Sequence, residues 1–199
     1  MKAALGFRAH SGWAVMVAVG GSAAAPMVLE RRRVELVDRQ TAGAVQPYHA
    51  AAEMELKDAE AFLERCANAA NGMAAAALRD AIAELAARGY QAIGCGILLA
   101  GGRPAGDLAS TLASHPAIHT AEGEFFRNAL QRAAESHGLA VTGIKERDLP
   151  GHAATRLGVP ADELQRRVAG WGKAAGPPWR QDEKFSALIG WLVLAATGE

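Results

Sequence analysis

The sequence lacks the features that define several large classes of protein. It has only two cysteines, Cys66 and Cys95, one in a helical pattern and one in an apolar strand pattern. We therefore expect two buried thiols rather than a disulfide or a metal-binding pair. No apolar run approaches the roughly 18 residues that a membrane helix needs. Lys plus Arg and Asp plus Glu both number 21, and this balance argues against broad, nonspecific binding to phosphate backbones or an anionic membrane.

Several catalytic motifs are also missing from the sequence. It contains no CxxC pair and no HExxH pattern, which are the common signatures of zinc sites. It also contains no P-loop, no dinucleotide-binding glycine pattern and no GxSxG elbow for a serine nucleophile. We therefore expect neither a metal site nor a cofactor, and the motifs alone leave open whether the protein is an enzyme.

The N-terminal region imitates a secretory signal only in part. Its apolar stretch, residues 13–19, is short and β-branched, and the turn-forming residues 8–12 interrupt the chain before it. We interpret both segments as part of the folded protein. The expected location is the cytoplasm.

Hydrophobic patterning predicts three strands, a long helix and a fourth strand in the first half of the chain. Residues 3–7, 13–19 and 27–37 favour three successive strands, and therefore an antiparallel meander. The third carries three consecutive arginines, which favour a sheet edge with the charges in solvent, and a phosphate-binding site is the weaker interpretation. Residues 56–87 have apolar positions spaced by threes and fours, as an amphipathic helix requires. The uncharged run 92–100 indicates a strand that is covered on both faces.

The second half of the chain repeats the order of helix and strand. We predict a helix over residues 115–138, a strand over 139–144, and helices over 160–168 and 180–196. A right-handed crossover should place the fourth strand parallel to the first. The sequence thus predicts one α/β domain over residues 1–199, with a central mixed five-stranded sheet flanked by helices.

Several side chains that could take part in catalysis or ligand binding lie close together at the start of the helix predicted at residue 115. His115 and His119 lie four residues apart and Glu122 three further on, so that all three are reachable from one side of the helix. This spacing suits acid–base catalysis in which Glu122 orients His119. A metal site made by the three residues is the weaker interpretation, because no second acidic cluster supports it. A solvated helix start is the structural alternative.

The order of the elements and two short segments resemble the ribonuclease H-like superfamily, in particular degenerate relatives of the Holliday-junction resolvases. The segment LGFRAHSGWA at residues 5–14 is similar to the first-strand signature of that group, approximately I-G-x-D-P-G-x-x-x-x-G-W/Y-A. The segment DEKFSAL at residues 182–188 resembles its last-helix D-x-x-D-A-L segment. The chain also resembles bacterial proteins with an H-S-G-W-A opening and an H-x-x-E-G-E helix. The resemblance implies a ribonuclease H-like fold.

The departures from that resemblance concern the metal site. In the active nucleases, carboxylates from the first strand, the fourth strand and the last helix hold two divalent cations about 4 Å apart. Here Arg8 stands where the first acid is expected, the fourth strand has no acid, and Lys184 or Phe185 stands near the final aspartate. An arginine at this position would repel both cations. We therefore expect the two-metal hydrolysis to be absent.

A different site is expected at the same place, because the carboxyl ends of parallel strands form the crevice where such sheets bind ligands. The predicted ligand-binding residues are Arg8, His10, Glu124, Asp182 and Lys184. Glu122 or Glu124 should contact Arg8 or His10 across the sheet edge. The candidate catalytic residues are His119 and Glu122.

Two functional hypotheses follow. The first is a scaffold without nuclease activity that binds an anionic ligand, a nucleic acid or a protein partner. The second is a hydrolase or nuclease that uses His119 and Glu122. The sequence identifies neither the ligand nor the oligomeric state, and assembly into a homo-oligomer stays open.

Overall fold

The structure is a computed structural model that describes residues 1–102 and 106–196. Its strands are β1 (Lys2–His10), β2 (Trp13–Gly21), β3 (Pro26–Glu35), β4 (Gln91–Leu99) and β5 (Val141–Lys145). Its α-helices are α1 (Pro47–Ala51), α2 (Leu56–Ala87), α3 (Leu108–Leu112), α4 (His115–Ser136), α5 (Leu149–Leu157), α6 (Ala161–Ala175) and α7 (Gln181–Ala196). A short 3-10 helix, Glu146–Asp148, joins β5 to α5.

The five strands form one mixed sheet in the order β3-β2-β1-β4-β5. The pairs β1–β2 and β2–β3 are antiparallel, which confirms the meander. The pair β1–β4 is parallel, as predicted, and the pair β4–β5 is also parallel. β3 lies at one edge of the sheet, as its three arginines predicted.

Helices cover both faces of this sheet. Leu5, Phe7 and Met16 pack with α2 and α4 on one face. Ala4 and Val17 pack with α5, α6 and α7 on the other. Since side chains alternate along a strand, neighbouring residues of β1 meet different helices. This alternation decides which charged groups can meet at the end of β1.

The helix α7 approaches β1 closely. A Cβ atom built on Gly6 would stand 1.9 Å from the carbonyl oxygen of Ser186 and 2.8 Å from the backbone nitrogen of Gly190. Such distances are far shorter than van der Waals contact. The absence of a side chain at Gly6 therefore sets how near α7 lies to the sheet.

The structure also departs from the predictions. Helices α1, α3 and α5 were not predicted, and the first two have only five residues each. The arginines of β3 are not simply solvated: Arg31 donates to the carbonyl oxygens of Pro177 and Pro178, while Arg32 pairs with Glu84 of α2. Arg31 and Arg32 thus tie the edge strand to neighbouring segments.

Two other expectations concern burial and hydropathy. Cys66 and Cys95 are both buried and unpaired, as predicted. Within residues 1–102 and 106–196, no helix combines the length and the apolar character needed to cross a membrane.

Candidate functional site

Arg8 lies near the carboxyl end of β1, with its guanidinium group between two carboxylates. Its Nε and Nη2 atoms donate to the two carboxylate oxygens of Glu146, at 2.9 and 2.7 Å. Its Nη1 atom donates to Asp182 in the first turn of α7. The Arg8 side chain is 19% exposed. The two-pronged contact with Glu146 is the geometry in which arginine binds a carboxylate most strongly.

A stack of aromatic and basic groups adjoins Arg8 and crosses three strands. The ring of His10 on β1 lies parallel to the ring of Trp13 on β2, with centroids 4.3 Å apart. The guanidinium carbon of Arg33 on β3 lies 3.8 Å from the Trp13 centroid. The Nε2 atom of His10 is 3.2 Å from Asp182. The direction of this contact does not suit a hydrogen bond. Among the described residues, the buried Nε2 atom of His10 has no hydrogen-bond partner.

A second cluster lies on the other side of the sheet, where α1 meets the first turns of α4. It contains His49, His115 and His119, and each offers a ligand atom within 4.8 Å of those of the other two. The Nε2 atoms of His115 and His119 are 3.0 Å apart. The ring centroid of His49 lies 5.7 Å from that of His115 and 4.8 Å from that of His119.

Glu122 joins this histidine cluster through His49. Its side chain is only 5% exposed, and one carboxylate oxygen lies 2.7 Å from Nδ1 of His49. The backbone N–H groups of Tyr48 and His49 also donate to it, at 3.4 and 3.3 Å. Burial raises the pKa of Glu122, while the contacts with His49 and the two N–H groups act in the opposite direction with smaller effect. Glu122 thus holds the imidazole ring of His49 in one orientation.

The structure brings together only part of the predicted ligand-binding set. Arg8, His10 and Asp182 meet, as expected. The predicted contact of Glu122 or Glu124 with Arg8 or His10 is wrong. Arg8 faces α7, whereas α4 packs on the opposite face of the sheet, so strand alternation separates the groups.

The remaining predicted residues have other surroundings. Glu124 lines a cavity of about 270 Å³ between α2 and α4. Lys184 lines a cavity of about 430 Å³ between α6 and α7. The prediction that Glu122 orients His119 is also wrong, because its carboxylate is bound to His49. His119 instead contacts His115.

Sequence reasoning missed two residues, Glu146 and His49. Glu146 directly follows β5, whose carboxyl end lies at the same edge of the sheet as that of β1. Its position after a predicted strand was therefore an available signal. His49 lies in α1, whose five residues are too few for a helical period to show. The only local sign is Pro47 at the start of that helix.

Comparison with known proteins establishes the fold. No protein-family profile and no curated protein sequence matches this chain. In structure, the chain is similar to RuvC of Thermus thermophilus in complex with a Holliday junction substrate, with a TM-score of 0.58 and 12% identity over 100% of this chain and 97% of that one. A second Thermus thermophilus RuvC structure gives a TM-score of 0.57 and 12% identity, over 98% of this chain and 95% of that one. The protein therefore has the ribonuclease H-like fold of these RuvC structures.

Proposed function

We propose that this protein binds nucleic acid on a ribonuclease H-like scaffold and does not cleave it. The observation that carries the proposal is the guanidinium group of Arg8, which Glu146 and Asp182 hold from two sides. A positive charge of the protein's own thus offsets part of the negative charge of the two carboxylates at this sheet edge.

The charges around Arg8 argue against metal-dependent cleavage. Two-metal hydrolysis needs two cations about 4 Å apart, each held by carboxylates. Here both carboxylates are engaged by arginine, which would repel an incoming cation. The neighbouring strand β4 ends in Ile97, Leu98 and Leu99 and supplies no acid. A hydrolase based on Glu122 and His119 is not favoured either, because Glu122 is bound to His49.

The stack of His10, Trp13 and Arg33 supports nucleic acid as the ligand. Phosphate contacts come mainly from arginine and lysine, and Arg33 is the exposed member of this stack. The Arg33 side chain is 42% exposed, and within residues 1–102 and 106–196 its one ion pair is with the equally exposed Glu35. Such surface pairs contribute roughly 0–1 kcal/mol, so a phosphate group can replace the glutamate. The junction bound by the structurally similar RuvC makes a branched DNA the first ligand to test.

Binding can be tested by fluorescence anisotropy with a labelled four-way DNA junction at several salt concentrations. We expect saturable binding that weakens as salt increases, because each phosphate contact releases counterions. Arg33→Gln should weaken it, whereas Arg79→Gln, on the exposed surface of α2, should not. No binding at low salt, or equal affinities for the two variants, would overturn the proposed binding surface.

Cleavage is tested separately with the same labelled junction. The DNA is incubated with the protein in EDTA, Mg²⁺ or Mn²⁺ and analysed on a denaturing gel. We expect intact DNA under all three conditions. Cation-dependent products that disappear in Asp182→Asn would show that the site is a working nuclease.

A further inference from the structure

We propose that His49, His115 and His119 form a binding site for Zn²⁺, with a fourth coordination position open to water or an external ligand. The site lies between α1 and α4, on the opposite side of the sheet from Arg8. It is therefore independent of the proposed nucleic-acid surface.

The spacing of the imidazole nitrogens suits one small cation. Zinc binds histidine nitrogen at about 2.0–2.1 Å in tetrahedral geometry, which places two such nitrogens about 3.3 Å apart. The Nε2 atoms of His115 and His119 are 3.0 Å apart without any rearrangement. The ligand atoms of all three residues lie within 4.8 Å of one another, so small rotations of exposed side chains bring them into range.

The helix spacing explains why two of these ligands converge. His115 and His119 are four residues apart at the start of α4, and residues at this spacing lie on the same side of a helix. The third ligand comes from a different helix. Bringing His49 of α1 to this point depends on the tertiary fold and on its contact with Glu122.

Glu122 prepares His49 for metal binding. A carboxylate that accepts from Nδ1–H fixes the tautomer and leaves the lone pair of Nε2 available to a metal. The oxygen of Glu122 lies 2.7 Å from Nδ1 of His49, and two backbone N–H groups of α1 hold the same carboxylate. The arrangement matches the carboxylate–histidine–zinc relationship of known metal sites.

The donor atoms select the kind of cation. Mg²⁺ and Ca²⁺ prefer oxygen ligands, whereas imidazole suits zinc and related transition metals. Three protein ligands are the usual number in zinc sites that keep an exchangeable position. His115 and His119 are exposed, so that position is accessible from solvent.

Calorimetric titration of the metal-free, full-length protein with ZnCl₂ tests the site directly. We expect one Zn²⁺ per chain, and His115→Gln and His119→Gln should each weaken binding at least tenfold. Both side chains are exposed, so the variants should keep the wild-type circular dichroism spectrum and melting temperature. His152→Gln, an exposed histidine on α5, is the matched control and should bind like the wild type. The absence of stoichiometric binding, or equal affinities for His119→Gln and His152→Gln, would overturn the site.

Substitution with Co²⁺ tests the coordination geometry. A protein loaded with one equivalent should show the intense visible absorption of four-coordinate Co²⁺, and His119→Gln should lose it. Excess Mg²⁺ should leave the spectrum unchanged. A weak six-coordinate spectrum, or displacement by Mg²⁺, would contradict a three-histidine site.

Discussion

Arg8 and Glu146 are joined by two parallel hydrogen bonds, at 2.9 and 2.7 Å, although 138 residues separate them in the sequence. Arg8 lies near the carboxyl end of β1, and Glu146 follows β5 on the far side of β4. With Asp182 on its other side, the guanidinium group lies at the carboxyl edge of the sheet. We therefore expect the guanidinium group to act as a substitute for a cation.

Replacing Arg8 by Asp should make the stability of the protein depend on divalent cations. The variant would bring a third carboxylate beside Glu146 and Asp182, and their repulsion should lower the melting temperature in EDTA. Added Mg²⁺ or Mn²⁺ should restore part of the loss, because a cation that binds only the folded state stabilises it. Wild-type protein should show no such recovery. The measurement is thermal unfolding with and without the cation.

The matched control for this change is Arg79→Asp. Arg79 lies beside Asp80 on the exposed surface of α2, with 66% of its side chain accessible. Two acids there are screened by water, so the control should unfold at nearly the wild-type temperature in both conditions. If Arg8→Asp behaves like this control, the carboxylates around Arg8 do not form a potential cation site.

A methyl group at Gly6 should destabilise the protein strongly. Its Cβ atom would stand 1.9 Å from the carbonyl oxygen of Ser186, which belongs to backbone and cannot rotate away. We expect Gly6→Ala to cost about 3 kcal/mol or more in the free energy of unfolding, measured in urea. Gly72→Ala is the control, because nothing lies within 4 Å of its Cβ position in α2. That change should stabilise the protein by about 0.5–1 kcal/mol. Similar losses in both variants would mean that α7 does not pack so closely on β1.

Truncating Leu98 in β4 should also be costly. The residue is 3% exposed and packs with Ile144 in the hydrophobic cluster beneath α5 and α7. We expect Leu98→Ala to reduce the free energy of unfolding by roughly 2–5 kcal/mol through lost burial and the cavity left behind. Its neighbour Leu99 is 37% exposed, so Leu99→Ala should cost less than about 1 kcal/mol. Equal urea midpoints for the two variants would contradict this difference in burial.

Both cysteines should be unreactive in the native protein. Burial raises the pKa of Cys95, which is 0% exposed, and burial is also the main cause of the raised pKa of Cys66. Since the thiolate is the reactive form, Ellman's reagent at pH 8 should modify both thiols slowly in buffer. In denaturant, both thiols should react rapidly. Cys66 is 7% exposed and should react before Cys95. Rapid modification of Cys95 in the native protein would show that β4 is accessible to the reagent. Comparison with Cys95→Ser identifies which thiol has reacted.

Long elements were readable from the sequence because their periods repeat many times. The pattern of apolar residues predicted α2 over 56–87, the bounds that the structure shows. The meander and the parallel β4 followed from strand patterns and from the rule on crossovers. Strand ends shifted by a few residues, because apolar patterns fade before backbone pairing stops. Helix α1 was not predicted, because its five residues do not complete two turns and so show no helical period.

The sequence by itself determined that Arg8 lies near the end of the first strand, and that two histidines and a glutamate share one side of α4. Only the tertiary structure decided their partners. Alternation along β1 turns Arg8 toward α7, so Glu146 and Asp182 reach it and Glu122 does not. The docking of α1 against α4 brings His49 to Glu122, 73 residues away in the chain. Local sequence patterns carry no information on such long-range contacts. The order of strands in the sheet and the faces on which helices pack decide these contacts.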